Sequence, residues 1–487
     1  LATWLCAAAL AALTVALALT VTGPGDLGNR DVLHRWYVLD GVLFLLAYLA
    51  LRRVPARRVR AMVAVGGLAV AAAGLLAPPR TSDDAYRYLW DGKVQAAGIS
   101  PYTYAPDAPQ LAGLRAQEHA LFPDLSRRAC TRWNDHEQNG ICTHINRPSV
   151  HTIYPPVAEG WFLALDELGG SHGVRAAQAG GALLATGTTA AMLVVLRRRR
   201  LPEHRAALWA WFPPVPLWAV NDAHCDTLGV LLVVAGFGVL TTRRRAGAGA
   251  LLGLAISAKL VPALAVPGAL AGVLGRRPRL RDLVAPVTAL AVFAATYLPY
   301  VLASGWKVLG YLPGYLQEEG YDRSQPTRFG LLRLLLPAPL APYAAALVML
   351  AVLAYVLRRG DPERPWHGAL LVTGTALLLA APAYPWYALL VVALAALDGR
   401  WEWLGLAAAG EALYLTADPG VQQPAYAAAL YLVLGVAVVR RFLRLAELPV
   451  PAPAPRTDEY GVISVSPGKY TWSETAGSSE SLTTSWR

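Results

Sequence analysis

Long apolar runs separated by short basic segments occupy almost the whole chain. A helix needs about 20 apolar residues to cross a bilayer, with about 17–25 the usual range. On that measure the pattern predicts spans at 2–21, 37–51, 61–78, 174–196, 206–220, 225–240, 247–258, 260–275, 283–302, 341–357, 367–383, 387–398, 403–417 and 425–439. Residues 247–275 read either as two short helices or as a re-entrant hairpin, so the expected number of spans is about 12–14. Residues 2–21 have no basic leader and stay apolar too long for a secretory signal, so they count as a span. The fold class predicted is an all-α polytopic membrane protein.

The polar gaps fall into two sets. Arginine marks one set: Arg52, Arg53, Arg57, Arg58 and Arg60, then Arg197 to Arg200, Arg243 to Arg245, Arg276 to Arg281, Arg358 and Arg359, Arg440 and Arg441. Loops on the cytoplasmic side of a membrane carry such an excess. If 52–60 is cytoplasmic, alternation places 197–204, 241–246, 276–282, 358–366, 398–402 and the C-terminus on the same side. The other set, 22–36, 79–173, 221–224, 303–340, 384–386 and 418–424, then faces outward, as expected for a multi-pass plasma-membrane protein. Residues 79–173 form by far the longest external segment, with amphipathic helices expected in it, and 303–340 form the second. Residues 1–446 make up the transmembrane domain. Residues 447–487 begin "LPVPAPAPRT" and turn Ser/Thr-rich, which predicts a disordered cytoplasmic tail.

Composition agrees. Hydrophobic residues make up 55% and charged residues 15%, against about 45–50% and about 25% in soluble domains. The net charge of +11 does not point to nucleic acid, because the arginines are spread over loop ends rather than gathered on one face. The expected partner is the lipid bilayer.

One polar, aromatic stretch stands out: "TSDDAYRYLWDGKVQAAGISPY" at 81–102. Thr81, Ser82 and Asp83 signal a helix start, and Gly98 a stop after Ala97. At helical spacing Asp84, Arg87, Tyr88, Asp91 and Gln95 form a polar stripe, with Tyr86, Trp90, Val94 and Ala97 opposite. The plain role of the acidic pair is capping, worth about 1 kcal/mol. The chemical role is a general base, since a carboxylate within hydrogen-bond reach can take the proton of an attacking hydroxyl. Adjacent helical residues point in different directions, so Asp83 and Asp84 are not expected to share one role. Farther along, Cys130 and Cys142 bracket "CTRWNDHEQNGIC". Outside the cell they can form a disulfide, and closing that loop contributes roughly 3 kcal/mol. His136 and His144 nearby allow a metal alternative, but the spacing lacks a tight Cys-x-x-Cys pair, and no metal site is assigned.

"SDDAYRYLWDGKVQAAGISPYTYAP" and "INRPSVHTIYPPVAE" resemble bacterial polyprenyl-phosphate-mannose-dependent mannosyltransferases of the C-type glycosyltransferase (GT-C) fold. That group includes the mycobacterial phosphatidylinositol-mannoside mannosyltransferase. "NDAHCDTLGVLL", "LLGLAISAKLVPAL" and "YPWY" look like later landmarks of the same group. The resemblance implies a GT-C-type bundle with its active site at the extracytoplasmic face. It implies an inverting transfer of mannose from a polyprenyl monophosphate to a hydroxyl of a glycolipid, a glycan or a protein. The lipid-linked sugar is a substrate, no cofactor is required, and dependence on a divalent metal is left open. The base role carries over to Asp83 or Asp84. In the related GPI-anchor pattern Asp-x-Asp-Tyr, Ala85 here holds the second acidic place when Asp83 takes the first. Tyr86, Arg87, Tyr88, Asp91 and Lys93 become expected substrate contacts.

Several residues outside that helix are candidates too. His224 and Asp226 sit at an outer span end, as contacts or caps. Lys259 is an ionisable residue in an apolar stretch, which is costly unless it is paired or reaches water. It fits a lipid phosphate or snorkelling to the surface. Tyr154 precedes two prolines at a turn. Tyr384 and Trp386 fit either an aromatic belt or the wall of a substrate groove. Arg323 and Arg328 lie in an external loop and can hold an anion. No glycine-rich nucleotide motif is present, in keeping with a lipid-linked donor. The rival readings are another polyprenyl-phosphate sugar, arabinose or glucose, and a transporter or flippase of lipid-linked sugars. A transporter would more often show internal repeats and midplane charges.

The topology is directly testable. In intact cells an impermeant thiol reagent should modify Ser82→Cys and spare Arg57→Cys. Protection at 82 alongside modification at 57 would contradict the assignment.

Overall fold

Alanine and leucine, the strongest apolar helix formers, dominate the hydrophobic runs, and those runs are helical. The computed structural model describes residues 1–126, 129–318 and 328–446. Its helices before residue 79 are α1 (Ala2–Thr22), α2 (Arg30–Leu51) and α3 (Ala56–Ala73). The long polar segment 79–173 holds α4 (Asp84–Ala96), the single turn α5 (Ala112–Arg115) and α6 (Pro156–Gly169). Then come α7 (Gly173–Arg198), the short α8 (Ala207–Ala210), α9 (Asp226–Leu240), α10 (Arg245–Ala258) and α11 (Val284–Ser304). The remainder are α12 (Leu312–Glu318), α13 (Gly330–Arg333), α14 (Ala341–Arg359), α15 (Pro365–Ala380), α16 (Leu389–Asp398), α17 (Leu404–Thr416) and α18 (Gln422–Ala446). Two short strands, β1 (His136–Gln138) and β2 (Ile141–Thr143), pair antiparallel with Glu137 opposite Cys142. Leu1–Val436 form one compact unit; the second, Ala437–Arg487, is described only over 437–446. The expected tail at 447–487 and Arg323 lie outside the described residues.

The protein is an all-α, multi-pass membrane protein, but its spans differ in kind from the sequence expectation. Six described helices are long and apolar enough to cross alone, or seven if one bent pair counts as a span. The other apolar segments are helical but short. Arg245–Ala258, Val261–Gly275, Pro365–Ala380 and Pro385–Asp398 each fall between 10 and 17 residues, below the length that crosses about 30 Å of hydrocarbon at about 1.5 Å per residue. Proline is one cause. The span expected at 206–220 instead stops at Ala210, because Pro213, Pro214 and Pro216 remove backbone donors. The chain resumes as a π-helical segment, Val215–Asn221, and then turns through 113° into α9. Likewise the 247–275 stretch breaks at Lys259, whose backbone is extended (φ −157°, ψ 145°). A 3-10 segment, Val261–Leu270, follows and contains Pro262 and Pro267.

The short helices sit inside. Every residue of α16 is buried, as expected for a helix that is apolar all round. Trp209, Trp211, Trp218 and Trp366 are fully buried in the same core. The long helices turn large aliphatic side chains outward, among them Leu290 and Leu298 on α11 and Leu347 and Leu350 on α14. That is the surface a bilayer covers.

Helix α4 starts at Asp84 and ends next to Gly98, which takes φ +75°. It packs on α6 so closely that a Cβ at Gly92 would lie 2.3 Å from the Phe162 carbonyl oxygen. Trp90 and Val94 bury against Leu111, Phe122 and Ile145. Tyr88, expected on the polar stripe, instead stacks on Phe162 with ring centroids 4.4 Å apart, because α6 covers that flank of the helix. Cys130 and Cys142 are joined as a disulfide, which ties the segment before β1 to β2.

Candidate active site

A cavity of about 710 Å³ lies where α4, the loop after β2, the break at Lys259, α14, α15 and the 384–387 turn converge. One end is polar, with Asp83, Asp84, Asn146, Arg147 and Tyr414. The other is apolar, with Leu264, Met349, Leu377 and Leu379.

The two carboxylates at the polar end are tied together by one amide. Asn146 Nδ2 donates to Asp83 Oδ1 at 2.8 Å and to Asp84 Oδ1 at 2.7 Å. Asp83 Oδ2 lies 2.5 Å from His136 Nε2, at the start of β1. Asp84 Oδ2 faces His224 Nδ1 at 3.4 Å. Neither carboxylate caps α4: the Asp83 side chain makes no capping bond, and the Asp84 amide donates to Ser82 Oγ. Burial works against ionisation of Asp84, but His224, Lys259 and Asn146 outweigh it and hold the carboxyl down at about 2. The Asp83 hydrogen bond raises the His136 imidazole above its usual range.

His224 is completely buried, and its ring stacks on Trp386 at 3.9 Å between centroids. It is presented by the tight turn between the π-helical segment and α9. There Ala223 adopts a left-handed φ of 54°, a strained conformation for a residue with a side chain. Asp222 in the same turn accepts from the backbone N–H groups of Arg80 and Thr81 and from the Thr81 hydroxyl. The turn thus anchors the residues that lead into the acidic pair.

Three cations line the cavity, each held from behind by a carboxylate. Lys259 Nζ is 3.1 Å from Asp226 and lies over the Tyr154 and Tyr387 rings. Arg87 Nε donates to both Asp91 oxygens at 3.0 and 3.1 Å, and its Nη groups make no hydrogen bond among the described residues. Arg147 Nε donates to Glu318 at 2.8 Å and Nη2 to the Tyr384 hydroxyl at 3.1 Å. Behind Arg87, Glu159 is fully buried, with Thr152 Oγ1 2.6 Å from Oε1 and Gln95 donating to Oε2 at 2.9 Å. Burial, reinforced by the Asp91 charge, drives Glu159 well above the usual carboxyl range.

Of the residues singled out in the sequence, Asp83, Asp84, Arg87, Tyr154, Lys259, Tyr384 and Trp386 line the cavity. Asp91, His224 and Asp226 stand directly behind lining groups. Tyr88 packs behind Tyr154, and Tyr86 packs on His144. Lys93 does not reach the cavity: it pairs with Glu118 and Asp166 at 3.3 and 3.2 Å, because it points to the opposite side of α4. Arg328 is 4% exposed and donates to the carbonyls of Ala380 and Ala381, so it shapes the cavity wall from behind. Sequence reasoning missed Asn146, Arg147 and Tyr414, and weighed His136 only as part of a metal alternative, not as a partner of Asp83. Asn146 and Arg147 sat inside a quoted block, "INRPSVHTIYPP", directly upstream of Tyr154, and that adjacency was the available signal.

The His136–Asp83 contact has a pH signature. A raised imidazole contributes stability that is fully present below its usual value and is lost as pH rises through the higher folded value. The melting-temperature advantage of the unsubstituted protein over His136→Gln should be larger near pH ~6 than near pH ~9. An equal difference at both pH values would contradict the contact.

Residues 152–382 match the family model Glycosyltransferase family 87. No curated protein and no solved structure matches the chain. The matched segment holds Tyr154, His224, Asp226, Lys259 and Arg328 and begins after the acidic pair. With the helical membrane bundle, the match points to a membrane glycosyltransferase, with residues 152–382, just under half of the chain, similar to a glycosyltransferase family 87 domain.

Proposed function

We propose that the cavity binds a polyprenyl-phosphate sugar and that Asp84 is the general base for transfer of its sugar to an acceptor hydroxyl. The observation that carries this reading is the union, in one cavity, of a carboxylate pair, three cations and an apolar arm. The apolar arm suits a prenyl chain. Lys259, Arg87 and Arg147 suit its phosphate. The Tyr384 and Trp386 rings, stacked on each other with centroids 5.0 Å apart, form an aromatic wall that suits a sugar packed against it.

Asp84 is the better base on geometric grounds. Each Asp83 oxygen accepts a hydrogen bond, whereas among the described residues Asp84 Oδ2 is approached only by His224. In the proposed step the acceptor oxygen bonds to the anomeric carbon while the carbon–oxygen bond to phosphate breaks. The bonding pair leaves with the polyprenyl phosphate, and the hydroxyl proton passes to Asp84. A single displacement of this kind inverts the anomeric centre. The low proton affinity of Asp84 in the free protein comes partly from Lys259. A donor phosphate beside Lys259 offsets that charge and makes Asp84 more basic once substrate is bound.

Mannose is the proposed sugar, on the resemblance of the 82–106 and 145–159 blocks, with arabinose or glucose as the alternative. The proposed acceptor is a hydroxyl of a glycolipid, a glycan or a protein on the extracytoplasmic side. Purified protein given radiolabelled polyprenyl-phosphate mannose and a membrane extract should form a labelled product. Asp84→Asn should lower the rate roughly 100- to 10,000-fold, and Asp83→Asn should lower it less, with both variants folded. Normal turnover by Asp84→Asn would overturn the base assignment, and labelling only from another sugar donor would overturn mannose.

A further inference from the structure

A second cavity, of about 570 Å³, opens between α7 and α9. Its walls are apolar, built from Ala191, Val194 and Val195 on one side and Ala235, Gly238 and Val239 on the other. α9 begins at Asp226 beside Lys259 and runs away from it. At about 1.5 Å per residue the two cavities lie roughly 20 Å apart along that helix. Arg198, the last residue of α7, and Arg244, just before α10, close the rim, and no carboxylate lines the cavity.

The arginines at this end of the bundle divide into two kinds. Arg199 pairs with Glu363 at 2.8 Å and Arg245 with Asp282 at 2.6 Å. Arg197, Arg198, Arg200, Arg243 and Arg244 have no ion pair or side-chain hydrogen bond among the described residues, and of these Arg198 and Arg244 are the two that overhang the groove. Orienting a protein in the membrane requires only positive charge somewhere in the loop. It does not require two unpaired guanidinium groups above an apolar slot. Two guanidinium groups match one phosphate, and the slot below them runs along membrane-spanning helices where only hydrocarbon is at hand.

We infer that this groove is a binding site for an anionic phospholipid, with the headgroup phosphate between Arg198 and Arg244 and an acyl chain along the α7–α9 slot. The site is separate from the proposed donor cavity and does not depend on how that cavity is read.

Native mass spectrometry of the purified full chain with matched phosphatidylglycerol and phosphatidylcholine tests the inference. Phosphatidylglycerol should be retained preferentially. Arg198→Gln with Arg244→Gln should weaken its binding roughly 30-fold, whereas Arg197→Gln with Arg243→Gln, outside the groove, should change it less than about threefold. Ala235→Phe should abolish binding by filling the slot with both arginines intact, and Ala191→Phe does the same from the facing wall if the first variant fails to fold. Equal retention of phosphatidylcholine, or an equal loss in the Arg197/Arg243 pair, would overturn the site. Undiminished binding in a folded slot-filled variant would reduce it to a surface charge effect and overturn the lipid assignment.

Discussion

A charge placed inside an apolar bundle is costly unless a counter-charge or a hydrogen-bond donor meets it, and the cavity wall is organised around that constraint. Asn146 holds two adjacent carboxylates with one amide. Asp226, Asp91 and Glu318 each stand behind a cation that faces the interior. Each cation is satisfied on its protein side, yet the cavity retains positive groups toward the space where a phosphate would lie. Losing one member of the Arg87–Asp91 or Lys259–Asp226 pair would leave its partner buried and unpaired, which costs more than the pair contributes. The second layer of Glu159, Thr152 and Gln95 applies the same rule one step farther back.

The backbone irregularities serve the same end. A continuous span through 206–240 would have passed the cavity by. The prolines at 213, 214 and 216 end the helix early, and the following turn carries Asp222 toward Thr81 and His224 toward Asp84. The extended residue between α10 and the 3-10 segment is Lys259 itself, so the break delivers the lysine to the cavity. Non-helical backbone at membrane depth is tolerated where it lines a cavity or is buried in protein, and both breaks meet that condition.

Much of the helical layout was legible, because runs rich in alanine and leucine and bounded by arginine leave little choice of structure. The ends of α1, α7 and α10 fall within a few residues of the expected spans. The break within 206–220 is invisible to hydropathy, because the prolines that cause it leave the run apolar. The local order around Asp83 and Asp84 was also legible. What brings Asn146 and His136 onto them was not: those contacts close over 63 and 53 residues through a disulfide-tied hairpin, and no local period encodes such a return. Lys93 was a plausible contact by sequence proximity, but helical direction turns it toward Glu118 and Asp166. The matched segment starts at residue 152, so the acidic pair enters the site from upstream of the matched domain.

The central claim is that one cavity seats a prenyl chain in its apolar arm and a phosphate beside Lys259. Photo-crosslinking with a polyprenyl phosphate bearing a photoreactive group in the chain tests it most directly. The account predicts cross-linked peptides carrying Leu264, Met349 or Leu377, with cross-linking competed away by unlabelled lipid. Competable cross-links found only outside these segments would contradict it.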